Sequence, residues 1–248
     1  KDFKEDENFY LSSLIQYNSS LPLIKDNENY QKILKPRLSL KFAPTHTKDN
    51  KNGSKRIDVN NIYSINRTVD DDTTEGGVSL AYGSDYSLFN KEKSREILNF
   101  RLANNIRFEE NYDLPRNDQI GQKTSSFFSE ITYNPNEFLN TKYNTSVKNN
   151  LSDINYENLI TEFKINNFVT TFDYLNENNS FNDNSYITNT TRYSVDKNNS
   201  LSFSTRENKT ADLTEYYNMM YQYKNDCLKA SIEYNKDFYS DRELQPDE

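Results

Sequence analysis

Alternation with a period of two runs through most of this chain. In "LKASIEYNKDF" the residues Leu228, Ala230, Ile232, Tyr234 and Phe238 alternate with Lys229, Ser231, Glu233, Asn235 and Asp237. Successive side chains of a strand point to opposite faces, so one face is apolar and the other polar. "FLNTKYNTSVKNN", "LITEFKI", "FVTTFDY", "LSFSTRE" and "TEYYNMMYQY" repeat the pattern, the last with Tyr217, Met219, Tyr221 and Tyr223 on one face. Upstream, "KPRLSLKF", "GGVSLAYGSDYSL", "EILNFRLANNIRF" and "TSSFFSEITY" follow it, and "FYLSSLIQY" does so less cleanly. No stretch has a helical period. About 11 or 12 strands can be counted.

The connections carry a second pattern. Short turns at "YNPNEF", "INNF", "DKNN" and "KNDC" recur about every 30 residues. Between them lie longer polar links, "NNLSDINYEN", "NENNSFNDNS" and "RENKTADLTE". Short and long connections in turn describe an antiparallel up-and-down sheet with one plain end and one decorated end. Bacterial outer-membrane barrels have this layout, and their strands need about 9–11 residues to cross the bilayer.

Composition decides between a soluble sheet and a membrane wall. Only 33% of the 248 residues are hydrophobic, a value that usually means disorder, yet 14% are aromatic, with 19 Tyr and 15 Phe. Disordered chains are poor in rings, so something folded uses these. A soluble sandwich buries its apolar faces in a dry core and has strands of about 5–6 residues. A large transmembrane barrel puts charged faces on a wet lumen and apolar faces on lipid, with aromatic girdles at the interfaces. The expectation is therefore an all-β, antiparallel, up-and-down transmembrane β-barrel. The charged start at Lys1 and the end at "RELQPDE" read as cut, so the whole of 1–248 is expected to be a piece of a larger barrel. Such a piece leaves open edges that other strands must complete.

Other classes find little support. The net charge is −8, with no basic stripe for nucleic acid. His46 is the only histidine and lies in a polar loop, so neither a metal site nor a Ser-His-Asp or Cys-His arrangement can be built around it. No catalytic residue and no cofactor is expected. Glu109 and Glu110 read as a solvated loop entry, and "DLPRND" as an irregular loop. Arg67 with Asp70, Asp71, Asp72 and Glu75 is the best constellation. Its ion pairs could hold a luminal plug or meet phosphates, directly or through a divalent cation; alternatively Arg67 pairs locally and the Asp run is solvated. Gly76 and Gly77 suit a backbone bend, such as a bulge, entering the next strand. The single cysteine, Cys227, has no partner in its own chain. It is a buried thiol, a reactive thiol or half of a disulfide.

Residues 55–83, "KRIDVNNIYSINRTVDDDTTEGGVSLAYG", resemble a segment of the LPS-assembly family LptD, whose pattern runs roughly N-L-F-x-x-N-R-[FY]-x-G-x-D-R-x-E-x-G and then Y-G. Asn61, Ile62 and Tyr63 stand for N-L-F. Asn66, Arg67, Asp72, Glu75, Gly77, Tyr82 and Gly83 match the pattern. Thr68, Asp70 and Thr73 replace its aromatic, Gly and Arg. "ILKPRLSLKFAP", "SSFFSEITYNPNEFLN" and "YQYKNDCLKASIEYNKDFYSDRELQPDE" look like further units of the family in the expected order.

The resemblance implies the C-terminal part of an LptD-like barrel in the Gram-negative outer membrane. It implies lipopolysaccharide (LPS) as cargo, an LptE-like lipoprotein plug, a periplasmic bridge that delivers LPS, and outer-membrane lipids around the wall. It implies translocation rather than bond chemistry. Family members commonly bond a C-terminal cysteine pair to cysteines of an N-terminal domain, which makes Cys227 a candidate for an interdomain disulfide. A porin or receptor-type barrel has the same alternation, and a soluble β-rich binding module is the remaining alternative.

Overall fold

The computed structural model describes residues 12–46, 49–53, 55–68, 74–178 and 183–238. Among them there is no helix, and none that is long and apolar enough to cross a membrane. The strands are β1 (Ile15–Ser20), β2 (Leu23–Asp26), β3 (Tyr30–Ala43), β4 (Gly77–Asn90), β5 (Arg95–Arg107), β6 (Phe127–Asn136) and β7 (Leu139–Val147). They continue with β8 (Ile154–Ile165), β9 (Phe168–Asn178), β10 (Asp183–Ser194), β11 (Asn199–Asn208), β12 (Leu213–Lys224) and β13 (Lys229–Asp237).

All belong to one antiparallel sheet in which each strand from β3 onward pairs with the next, β1 pairs β3, and β2 is a short addition to β3. The count is 13, above the sequence expectation, because β2 and β10 add to it. The sheet is open: β1 and β13 are its edges among the described strands. Connections at one end are tight, as at Asn166, which adopts a left-handed φ of 49° in the two-residue turn after β8. The long connections, 44–76 and 108–126, leave from the other end.

The sheet is inside out by the standard of a soluble protein. On β3 the apolar residues Leu34, Leu38, Leu40 and Phe42 are exposed, while Ser39 and Lys41 between them are buried. Exposed Phe100 and Leu102, Leu159 and Phe163, and Met219 and Tyr221 continue the apolar face across β5, β8 and β12. No second sheet covers that face among the described residues. A continuous bare apolar face of this extent marks contact with lipid or a partner.

The buried core lies on the polar face. There the two long connections fold back over the sheet. Ile57, Val59, Ile62 and Tyr63 from 44–76 meet Leu114 and Ile120 from 108–126 above Ala81, Ala103 and Phe128 of the strands. The segment "DLPRND" is thus a core contributor through Leu114, where sequence gave only an irregular loop. Small residues on the strands make this possible. A Cβ at Gly83 would overlap the Leu102 carbonyl and the Tyr63 phenol, so the Tyr63 ring needs glycine beneath it.

Candidate functional site

The cap formed by the two connections is held by one carboxylate. Glu75, just before β4, is 2% exposed and receives three cations. Arg67 donates Nε to Glu75 Oε2 at 2.9 Å and Nη2 to Oε1 at 2.6 Å. Arg107 donates Nη1 to Oε1 at 2.6 Å, and Lys41 donates Nζ to Oε2 at 3.1 Å. Burial pushes the Glu75 carboxyl up, but Arg67, then Lys41 and Arg107, outweigh it and hold the group well below the usual carboxylate range.

Register explains how strands supply this site. Lys41 of β3, Ser79 of β4 and Arg107 of β5 are consecutive cross-strand partners, one row on the polar face. Arg67 descends from the cap onto that row. Its Nη2 also donates to Ser79 Oγ at 2.9 Å, and its Nη1 donates to Asn105 Oδ1 at 2.9 Å and to the Ile62 carbonyl at 3.1 Å. Lys41 completes its bonding on the carbonyls of Ile65 and Ser64. Arg107 donates to the Glu109 and Gly76 carbonyls. All five donors of Arg67 and the three of Lys41 are thus engaged within the protein, and Arg107 spends one bond from each of its nitrogens there. Arg67 pairs locally, with Glu75; the Asp70–Asp72 run, and with it the motif residue Asp72, lies outside the described residues.

The other motif residues divide. Asn61 closes a local turn, donating Nδ2 to the Arg56 carbonyl and accepting from the Asp58 amide. Asn66 is exposed and accepts a bond from Lys55 on its carbonyl. Gly77 has φ +98° and lies against the Arg107 guanidinium, a conformation and a clearance that both require glycine. The β3–β4 register runs without a shift from Tyr30↔Asn90 to Ala43↔Gly77, so the glycine pair makes a bend and not a bulge. Tyr82 points to the apolar face, away from the cluster, and is 38% exposed. Gly83 underlies Tyr63. Cys227 lies apart from all of these, exposed in the turn at the opposite end, where Asn225 Oδ1 accepts the Cys227 and Leu228 amides.

Five residues of the site have no counterpart in the sequence reading: Lys41, Ser79, Asn105, Arg107 and Asp118. Asp118 joins the two connections, its Oδ2 accepting the Ile57 amide at 2.8 Å. Burial pushes its carboxyl up to about 6, against the lowering by that amide. The cap is tied at both flanks. Gln16 of β1 donates to the Tyr63 carbonyl at 2.6 Å, and Arg56 stacks 3.6 Å over the Tyr156 ring and pairs with Glu177 of β9. His46, at the mouth of the first connection, accepts the Gly76 amide on Nδ1 at 3.2 Å. Among the described residues no group of His, Cys, Asp and Glu could hold a metal ion.

A family model described as LptD, LPS transport system D, matches residues 4–205. The chain belongs to the LptD family. That family serves LPS transport and assembly, is found in the outer membrane of Gram-negative bacteria, and is not an enzyme family. No curated protein matches the chain. The match to LptD takes in the cap, the Glu75 cluster and the strands beneath them; β12, β13 and Cys227 lie past its end.

Proposed function

We propose that this chain is the C-terminal part of an LptD-type outer-membrane barrel that moves LPS to the outer leaflet. The observation that carries the reading is the inverted sheet: a bare apolar face suited to lipid, and a polar face suited to a lumen. Strands β3 to β13 are 9–14 residues long, enough to cross a bilayer. The open edges at β1 and β13 need further strands to close the wall. In this reading the long connections face outward and the tight turns face the periplasm. The cap occupies luminal space over β3–β8, which favours a gated conduit over a passive porin. An LptE-like lipoprotein fills the remaining lumen, and a periplasmic bridge delivers LPS. Depletion of the gene product in cells is expected to leave newly made LPS in the inner membrane; unchanged arrival of LPS at the surface would refute the assignment.

In that orientation Cys227 faces the periplasm, an oxidising compartment in which an exposed thiol pairs. Its partner is a cysteine of a periplasmic domain. Non-reducing electrophoresis of the full gene product is expected to show a mobility difference that disappears with reductant and in Cys227→Ser. Identical migration of wild type and variant would remove the bond.

A further inference from the structure

We infer that the polar face carries an anion pocket between β1, β3 and the 60–64 turn, in which Lys35 and Arg37 bind a phosphate group borne by the transported glycolipid. The identity of the phosphate carrier rests on the LPS reading above; the pocket does not.

The pocket has a volume of about 260 Å³ and a mainly polar lining. The alternation of β3 sends Lys35 and Arg37 to the polar face, two residues apart on one strand. Neutral serines and asparagines, with Leu38 and Tyr63, complete the lining, and no carboxylate is among the lining residues. The acid opposite, Asp85, is the register partner of Lys35 yet pairs with Arg37, at 3.5 Å. Lys35 has no ion pair or hydrogen bond among the described residues.

Arg37 is held ready. Its guanidinium lies 4.0 Å over the Tyr63 ring, and Tyr63 is itself fixed in the cap core. One loose ion pair leaves most of its N–H fork unused, and a planar fork is suited to phosphate oxygens.

The neighbouring pocket under Arg56 shows what a compensated site looks like. It holds Arg56 and Lys142 but also Asp58 and Glu130, and Lys142 pairs with Glu130 at 2.9 Å. In the Glu75 cluster, too, a carboxylate sits among the cations. At Lys35 and Arg37 two cations face a cavity with no acid among its lining residues, Asp85 reaching Arg37 from outside that lining. A recessed pocket of one sign focuses potential and concentrates the opposite ion. Its size suits a phosphate and part of the sugar that bears it.

The test uses the full-length protein with its lipoprotein partner in detergent. Binding is measured for LPS and for the same LPS after enzymatic removal of phosphates, with inorganic phosphate as a competitor. Lys35→Gln is the leading variant, because Lys35 makes no bond that the fold needs; Lys35→Arg is the charge-keeping control. Wild type is expected to prefer phosphorylated LPS by about tenfold, the scale of one charge-assisted contact. Lys35→Gln should abolish the preference and Lys35→Arg should keep it. An undiminished preference in Lys35→Gln would overturn the pocket. Displacement of bound inorganic phosphate without any LPS preference would reduce it to a free-ion site and overturn the glycolipid assignment. If depletion blocks LPS export while Lys35→Gln behaves as wild type, the pocket falls and the transport reading stands. If export survives depletion, the transport reading falls whatever Lys35 binds.

Discussion

Glu75→Ala is expected to unseat the cap. The substitution leaves Arg67, Lys41 and Arg107 buried together with no counter-charge. Removing one member of a buried charge cluster costs about 3–5 kcal/mol, because the remaining charges are desolvated and unpaired. The loss falls on the cap more than on the sheet, since the strands keep their ladders. The segment 44–76 should therefore become sensitive to added protease on intact cells, and the outer membrane should become permeable to large antibiotics. Arg67→Ala should do less, because Glu75 keeps Lys41 and Arg107. Replacing Glu75 and Arg67 together by Leu and Met should cost less than the two single losses summed, as expected for directly coupled groups. Protease resistance in Glu75→Ala equal to wild type would show that the cluster does not hold the cap.

The pH behaviour follows from the same cluster. Glu75 is held below its ordinary value, so its contribution is present above the unfolded value and is lost only as pH falls through the depressed folded one. Mild acid leaves the cluster intact. Asp118 works the other way. Its folded value is raised to about 6, so any contribution is full below the unfolded value and fades as pH rises through 6. At neutral pH the Asp118 link is therefore a buried carboxylate held by one amide, the weaker of the two fastenings.

The strands were legible where their two faces differ in chemistry. Leu159, Phe163 and Ile165 against Glu162 and Lys164 announce a strand by contrast alone. β10 was not, because Thr188, Thr190 and Arg192 on one face oppose Asn189 and Thr191 on the other, with little contrast between them. β2 spans four residues and was too short to register. The cap was legible only in part. Arg67 and Glu75 stand out in the family-like motif, eight positions apart on one connection. Lys41, Ser79 and Arg107 do not, since nothing in the linear order says that they share a row; that row exists only once the register is known. Asp118 was hidden for a similar reason, because its partner, the Ile57 amide, is 61 residues away on the other connection. Burial of polar residues such as Ser39 and Lys41 beneath exposed leucines follows from the cap, which periodicity cannot foresee.

If the sheet is part of a membrane wall, its apolar face meets lipid and its polar face meets a lumen. Met219 and Met220 test it with one chemistry at adjacent positions near the middle of β12. Met219 is 55% exposed on the apolar face, between its cross-strand partners Phe203 and Tyr234. Met220 lies on the polar face between Ser202 and Glu233. Arginine on the lipid side of a barrel costs about 2–4 kcal/mol near the bilayer midplane. In water the order reverses, because an exposed Met219 can be replaced freely. The deciding measurement is denaturant unfolding of the full protein in lipid vesicles, comparing Met219→Arg with Met220→Arg. The membrane-wall account predicts a loss of about 2–4 kcal/mol for Met219→Arg and a change within about 1 kcal/mol for Met220→Arg, where Glu233 can pair with the new charge. Equal stability of the two variants, or a larger loss at Met220, would contradict it.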